Sequence, residues 1–422
     1  MHSGTRNAVF ALALAGGAAM GRLPAQVSPA AVIEAGLAGI FRTAAARPPA
    51  AHRGPVMREL EPVMLQQARF LVSQLQPWEA VPRAARLPLA KGAASGEHGI
   101  RPGAHTAKGL ALLVRLAPDD AFPEAFTRTQ ARERALEILR YLVHTHGASG
   151  EVCADGKPWK AQWQSAYWAA MTGEACWLLW DDLTPAERWL AARMVCDEAD
   201  RFIGVVPPAS LFNDSKAEEN AWNSAVVSLA FNLFSRHPHH GAWRETAIRW
   251  IASSFATSRD VTRTDFVDGR PLREWLTGAN VHDDFTLENH HRVHPDYMAC
   301  TYLLTSQMPM YAWGGNPPPE AIQLNVPAIN AALKKLATPD GSVIYPNGQD
   351  WGLHRNVDWF EYHAAMAVLL HDPQSAALMR HALAPCAAWP RGPPRAPFTC
   401  PKRRSCRPTR RWCSNTPRTL TR

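Results

Sequence analysis

The chain has 422 residues, 46% of them hydrophobic and 19% charged, with a formal net charge of +8. Such a composition is globular and excludes a disordered or collagen-like chain, and the length asks for one large domain with extras or for two domains. The charge is concentrated: residues 384–422 hold nine Arg, one Lys and no acid, so the tail carries +10 and the remainder −2, which removes the case for a nucleic-acid-binding protein.

In chain order, Arg6 begins a short basic segment, residues 8–20 form an apolar run, and Leu23-Pro24-Ala25 offers a small residue at a cleavage point. This pattern predicts a signal peptide over residues 1–25 and a secreted or periplasmic mature protein; the bland alternative is a buried N-terminal helix. No other stretch is apolar enough to span a membrane. Helices are expected near 29–46, 55–74, 106–116, 123–146, 162–180, 185–203, 216–235, 242–257, 295–306, 318–337 and 358–370. Many of these begin at Pro or just after Thr, Asp or Ser.

The clearest is 216–235, where Trp222, Ala225, Val226, Leu229, Leu233 and Phe234 form one apolar stripe. Ser215 and Glu218 have the spacing of a capping box at its start. Glu219 and Asn223 lie one turn apart beside the stripe; they are either a solvated first turn or a polar cluster facing a cleft. Paired helices with few strand signals indicate an all-α domain over residues 26–383, best described as an (α/α) toroid, in which helix ends meet at a cleft. Cys176 and Cys196 fall on apolar faces and are expected to be buried thiols, without zinc spacing. Sixteen Trp serve either the core or sugar stacking. Trp159, Trp163 and Trp168 are assigned to the core and Trp351 to sugar contact. The tail, with eight Pro and Cys386, Cys400, Cys406 and Cys413, reads as a disordered basic arm, a small disulfide knot or, preferably, a shifted reading frame in a GC-rich gene.

Two segments are dense in reactive groups. Residues 280–297 hold four His with Asp283, Asp284, Glu288, Asp296 and Tyr297. Residues 345–355 combine Tyr345, Asn347, Gln349, Asp350, Trp351 and His354 with turn-forming Gly and Pro. Eliminating a uronate polymer needs a group that neutralises the sugar carboxylate, a base for the adjacent proton and an acid for the leaving oxygen. Asn289, His290, Arg292 and Tyr297 supply these within nine residues, and Asn347, Gln349 and His354 could supplement them.

The E-N-H-H-x-x-H-P-x-Y stretch at 288–297, the K-A-E-E-N-A-W-N stretch at 216–223 and residues 345–351 resemble the toroid part of polysaccharide lyases, of the heparinase II/III-like and chondroitin/hyaluronate-lyase-like kinds. The resemblance implies an α/α toroid joined to antiparallel β-sheet domains and cleavage of an acidic polysaccharide or oligosaccharide without a cofactor. It assigns Asn289 to carboxylate neutralisation, His290 to base or neutraliser and Tyr297 to base and acid, with His294 as the next partner. Glu219, Asn223, Tyr345, Asn347, Gln349, Asp350, Trp351 and His354 would bind substrate. Thr277-Gly278-Ala279-Asn280 is similar to a T-G-A-N element of the chondroitin-lyase-like group. No β-rich region is expected after Leu383, a departure from that pattern. A glycoside hydrolase using paired carboxylates among Asp283, Asp284, Glu288, Asp350 and Glu219 is the alternative; a non-catalytic carbohydrate-binding relic is another. A zinc site on His290 and His294 lacks the H-E-x-x-H glutamate.

Overall fold

The computed structural model describes residues 36–37, 55–89, 92–348 and 358–387. The predicted signal segment, nearly all of helix 29–46, the loop residues Gln349, Asp350, Trp351 and His354, and the tail from 388 onward lie outside the described residues.

The described chain is mostly helical. The longer helices are α1 (Pro55–Ser73), α2 (Glu97–Leu116), α3 (Arg128–Thr145), α4 (Ser165–Leu178), α5 (Pro185–Asp200), α6 (Ala217–Leu233) and α7 (His240–Ser254). Shorter ones follow: α8 (Leu272–Trp275), α9 (Pro295–Ala299), α10 (Tyr302–Thr305), α11 (Met308–Gly314), α12 (Val326–Lys334), α13 (Trp359–Leu369) and α14 (Pro373–Ala387). The strands form three antiparallel pairs: β1 (Gln76–Trp78) with β2 (Ala84–Arg86), β3 (Phe266–Val267) with β4 (Arg270–Pro271), and β5 (Glu288–Asn289) with β6 (Arg292–Val293).

Local chemistry sets the helix ends. Thr127 with Gln130 and Thr184 with Glu187 form capping boxes at α3 and α5, and Pro185 occupies the first turn of α5. The box expected at Ser215 and Glu218 does not form. Ser215 Oγ instead donates to the Asn280 carbonyl at 2.9 Å and accepts the Ala217 N–H at 3.1 Å, and the helix starts one residue later. The helix expected over 295–306 is split, because i to i+3 bonds from Leu303 to Cys300 and from Leu304 to Thr301 tighten the chain between α9 and α10. The helix expected over 318–337 is shortened to α12, since Asn325 takes a left-handed conformation (φ 60°) just before it. Helix α2 begins nine residues ahead of expectation and carries Pro102 inside it. Helices α11 and α14 are not foreseen by the sequence pattern.

Helix α2 packs on α3 and α4, α4 on α5 and α6, and α6 on α7, α10 and α11. Helix α10 packs on α13, α13 on α14, α14 on α1, and α1 on α2. Two of these helices are buried almost all round. In α4 only Tyr167 keeps solvent contact, and in α6 only Glu218, Glu219 and Asn223 do. A helix apolar on every side belongs at the centre of a core rather than on its surface. Their approach requires Gly173: a Cβ there would sit 2.6 Å from both Leu229 and Val195. Trp159, Trp168, Trp222, Trp243, Trp275 and Trp359 are among the largest fully buried side chains, so most of the described tryptophans are core. Cys153, Cys176 and Cys196 are buried free thiols, and Cys300 is buried too. No helix among the described residues is long and apolar enough to cross a membrane.

Charged groups inside this core are paired. Glu198, fully buried in α5, accepts from Ala161 N at 2.9 Å and Ser165 Oγ at 3.0 Å and pairs with Arg201. His146 Nδ1 accepts the Ala148 N–H at 3.1 Å, so the proton sits on Nε2, which faces Glu198 at 3.4 Å. Thus one carboxylate ties the ends of α3, α4 and α5. Burial alone would raise its pKa; the His146 hydrogen bond, the Arg201 charge and the Ala161 N–H outweigh that and hold it below the ordinary 4.5. A depressed carboxylate stabilises the fold fully above its unfolded pKa and loses that contribution as pH falls through the folded value. Denaturant midpoints measured below about pH 4.5 should therefore fall steeply for the native chain and less steeply for Glu198→Gln, which is already weaker at pH 7.

Candidate active site

The reactive segment folds as a two-residue hairpin. Strands β5 and β6 pair Glu288 with Val293 and Asn289 with Arg292, leaving His290 and His291 as the turn. Both turn residues have positive φ, 50° and 61°. Tight hairpins demand this twist, and Asn or Gly usually supplies it. Two histidines there cost roughly 1–2 kcal/mol each, so surrounding bonds must hold them. His291 N–H donates to the Asn213 carbonyl at 2.9 Å, Asn213 N–H to Glu288 Oε2 at 2.9 Å, and Ser215 N–H to the Glu288 carbonyl at 2.9 Å. His294 N–H returns to the Leu287 carbonyl at 3.0 Å, and His282 Nε2 lies 3.2 Å from Glu288 Oε1.

The strained turn aims the His290 ring at α9. Its Nε2 lies 3.1 Å from the Tyr297 hydroxyl, and the ring centroids are 5.3 Å apart. Pro295 starts α9 and sets Tyr297 in its first turn, as the sequence implies. The buried His294 ring packs edge-on to Tyr297 at 4.9 Å. Asn289 is buried; its Oδ1 accepts the His290 N–H at 2.8 Å, while its Nδ2 donates to no described residue. Arg292 Nε donates to the His290 carbonyl at 3.3 Å, and its Nη1 would lie 3.9 Å from a Cβ on Gly348, so the guanidinium reaches the turn after Tyr345. Asn289, His290, Arg292, His294 and Tyr297 are therefore brought together.

The substrate-binding set divides. Tyr345 joins the site: its hydroxyl donates to Asp296 Oδ1 at 2.6 Å and accepts from Trp359 Nε1 at 3.1 Å. Asn347 is exposed in the same turn. Glu219 accepts from Trp163 Nε1 at 3.0 Å and from Lys216 at 3.4 Å, with Asn223 half-buried one turn on. Lys216 also pairs with Asp214 at 2.6 Å, adjacent to Asn213 of the hairpin contact. Trp163 corrects an expectation. Assigned to the core with Trp159 and Trp168, it is 57% exposed, because it precedes α4 and stands edge-on to Trp222 at 4.8 Å with its indole N–H held by Glu219.

Asp296 and Asn280 carry more than their sequence context suggests. Asp296 anchors Tyr345 and lies 4.0 Å from His294 Nδ1. Asn280, fully buried, accepts from Ser210 N at 2.9 Å and Lys216 N at 3.1 Å and donates to the Ser253 carbonyl at 2.7 Å. The T-G-A-N stretch thus braces the site rather than lining it. Three carboxylates of the alternative reading are engaged in the loop: Asp283 with Arg259 at 3.3 Å, Asp284 with the Thr286 hydroxyl at 2.7 Å, Glu288 as above. Burial and hydrogen bonding favour losing none of the three Asn280 bonds. Asn280→Ala should lower unfolding free energy by about 2–4 kcal/mol, read as a drop in denaturant midpoint at unchanged slope.

No protein-family model matches this chain, and no curated protein and no solved structure is similar to it.

Proposed function

We propose that the chain is an exported polysaccharide lyase that cleaves a uronate-containing polysaccharide by β-elimination at His290 and Tyr297. The observation that carries this reading is the 3.1 Å contact between the Tyr297 hydroxyl and His290 Nε2, set beside an Asn289 amide with donors to spare. Each partial role of an elimination then has an atom. Asn289 Nδ2, helped by the Arg292 guanidinium, binds the sugar carboxylate and makes the neighbouring C–H acidic. His290 Nε2 draws the phenol proton, and the Tyr297 oxygen takes the proton from that carbon. The bond from the adjacent carbon to the glycosidic oxygen breaks, a carbon–carbon double bond forms, and the Tyr297 hydroxyl gives its proton to the leaving oxygen. Protons balance, and no cofactor is required. The left-handed turn supports the reading, since backbone strain of this kind gathers where a side chain must be aimed.

The packing sequence of the helices supports an (α/α) toroid as the scaffold. Helices α2, α4, α6, α10 and α13 contact one another in turn, and α3, α5, α7 and α14 pack against them in chain order. The near-complete burial of α4 and α6 fits an inner layer.

Elimination leaves a conjugated double bond that absorbs in the ultraviolet. With a panel of uronate polymers, the mature chain should give rising absorbance. Tyr297→Phe and Asn289→Ala should each lower turnover by about 100-fold or more while retaining the thermal melt. Undiminished turnover in Tyr297→Phe would overturn the assignment, and new reducing ends without absorbance would assign hydrolysis instead.

A further inference from the structure

A second group of polar side chains is carried by the helices rather than by the hairpin. The helices that are otherwise buried are wet at single points: α4 at Tyr167, α10 at Tyr302, and α6 at Glu218, Glu219 and Asn223. Across from them, α2 presents His105, Lys108 and Gly109 on one face, and α13 presents Glu361. The His105 and Tyr167 rings stand edge to face at 5.9 Å. Lys108 Nζ is 2.9 Å from the buried Glu174. A Cβ built on Gly109 would meet nothing within 4 Å, although α2 is packed by α1, α3 and α4. Open space therefore borders a mid-helix position on a helix that is packed by three others.

The electrostatics agree with a recess. Solvent reaches His105 and Glu361, yet protein surrounds them closely enough that burial pushes His105 down to about 4 and raises Glu361. Burial also raises Tyr167 and Tyr302, and the Glu361 charge adds to the rise in each. At neutral pH the lining consists of two phenol hydroxyls, a neutral imidazole and the Glu361 carboxyl. The side chains of Tyr167, Tyr302, His105 and Glu361 hydrogen-bond to no other described residue. The cations are taken: Lys108 by Glu174, and Arg101 by Glu97 at 2.5 Å and Gln164 at 3.2 Å.

We propose that this recess is a sugar-binding subsite for an uncharged, hydroxyl-rich ring, with Tyr167, Tyr302, His105 and Glu361 supplying its hydrogen bonds. A uronate is disfavoured, because Glu361 would face its carboxylate and the described cations nearby, Lys108 and Arg101, are already paired. Uncharged hydroxyls find donors and acceptors there that no described side chain engages, and polar groups in such a recess reject partners that leave them unpaired. The subsite stands whether or not the hairpin performs elimination. It shares elements with the hairpin site, since Tyr302 follows Tyr297 by five residues and α13 carries both Glu361 and the Trp359 that holds Tyr345.

The test is titration calorimetry of the full mature chain with cellobiose, N,N′-diacetylchitobiose and glucuronate, a readout needing no turnover. At least one uncharged disaccharide should bind, and glucuronate more weakly. Tyr302→Phe with Glu361→Gln should weaken that binding about tenfold, the loss of one or two hydrogen bonds. Gly109→Leu, which fills the open space while improving helix propensity, should abolish binding and keep the thermal melt. The proposal is overturned if neither disaccharide gives heat with a folded chain, if glucuronate binds as well, or if binding survives Gly109→Leu. Absence of elimination on polymers would count against the hairpin chemistry alone.

Discussion

One side-chain amide holds the candidate site together. Asn280 joins the loop before α6, the start of α6 and the end of α7, and its own backbone carbonyl receives Ser215 Oγ while its N–H bonds to the Ala256 carbonyl. Residues 213–215 are thereby fixed in place, and they in turn grip Glu288 and His291. A side-chain amide can accept two N–H groups through its oxygen and donate to a carbonyl through its nitrogen from a single buried position. The hairpin, the wet patch of α6 and the Trp163 contact all take their positions from this junction.

The hairpin turn shows how local cost becomes aim. A glycine pair would relax the backbone and remove the imidazole; two histidines keep it at the expense of conformational strain. The strain is offset by bonds made outside the turn, chiefly through Asn213 and Ser215. The candidate groups are consequently set without a ligand, since none of these bonds depends on one. Preorganisation of that kind is what electrostatic stabilisation of a developing charge requires.

Much of this was legible in the sequence, and the misses have causes. Apolar periodicity locates α3 to α7 within a few residues, because amphipathic or wholly apolar stripes persist over many turns. The density of His, Asn and Tyr in 288–297 identifies residues that do converge, since a two-residue turn and a Pro-started helix leave them few places to go. The capping box at Ser215 fails because tertiary bonding to Asn280 outbids a local partner. Trp163 escapes for the same reason: its burial depends on where the loop before α4 meets α6, which no local pattern encodes. The recess is invisible for a further reason. Tyr167, Tyr302, His105 and Glu361 are spread over more than 250 residues, and each looks like an interruption of an apolar helix until the helices are packed.

The buried thiols have a consequence for handling the protein. Burial raises the pKa of Cys153, Cys176 and Cys196, so little thiolate forms and no reagent reaches it in the native state. An export route would pass the chain through an oxidising compartment with those sulfurs still reactive until α4 and α5 close over them. Collapse must outrun oxidation there, and the rate at which a thiol dye labels the finished protein becomes a clock for its rarest openings.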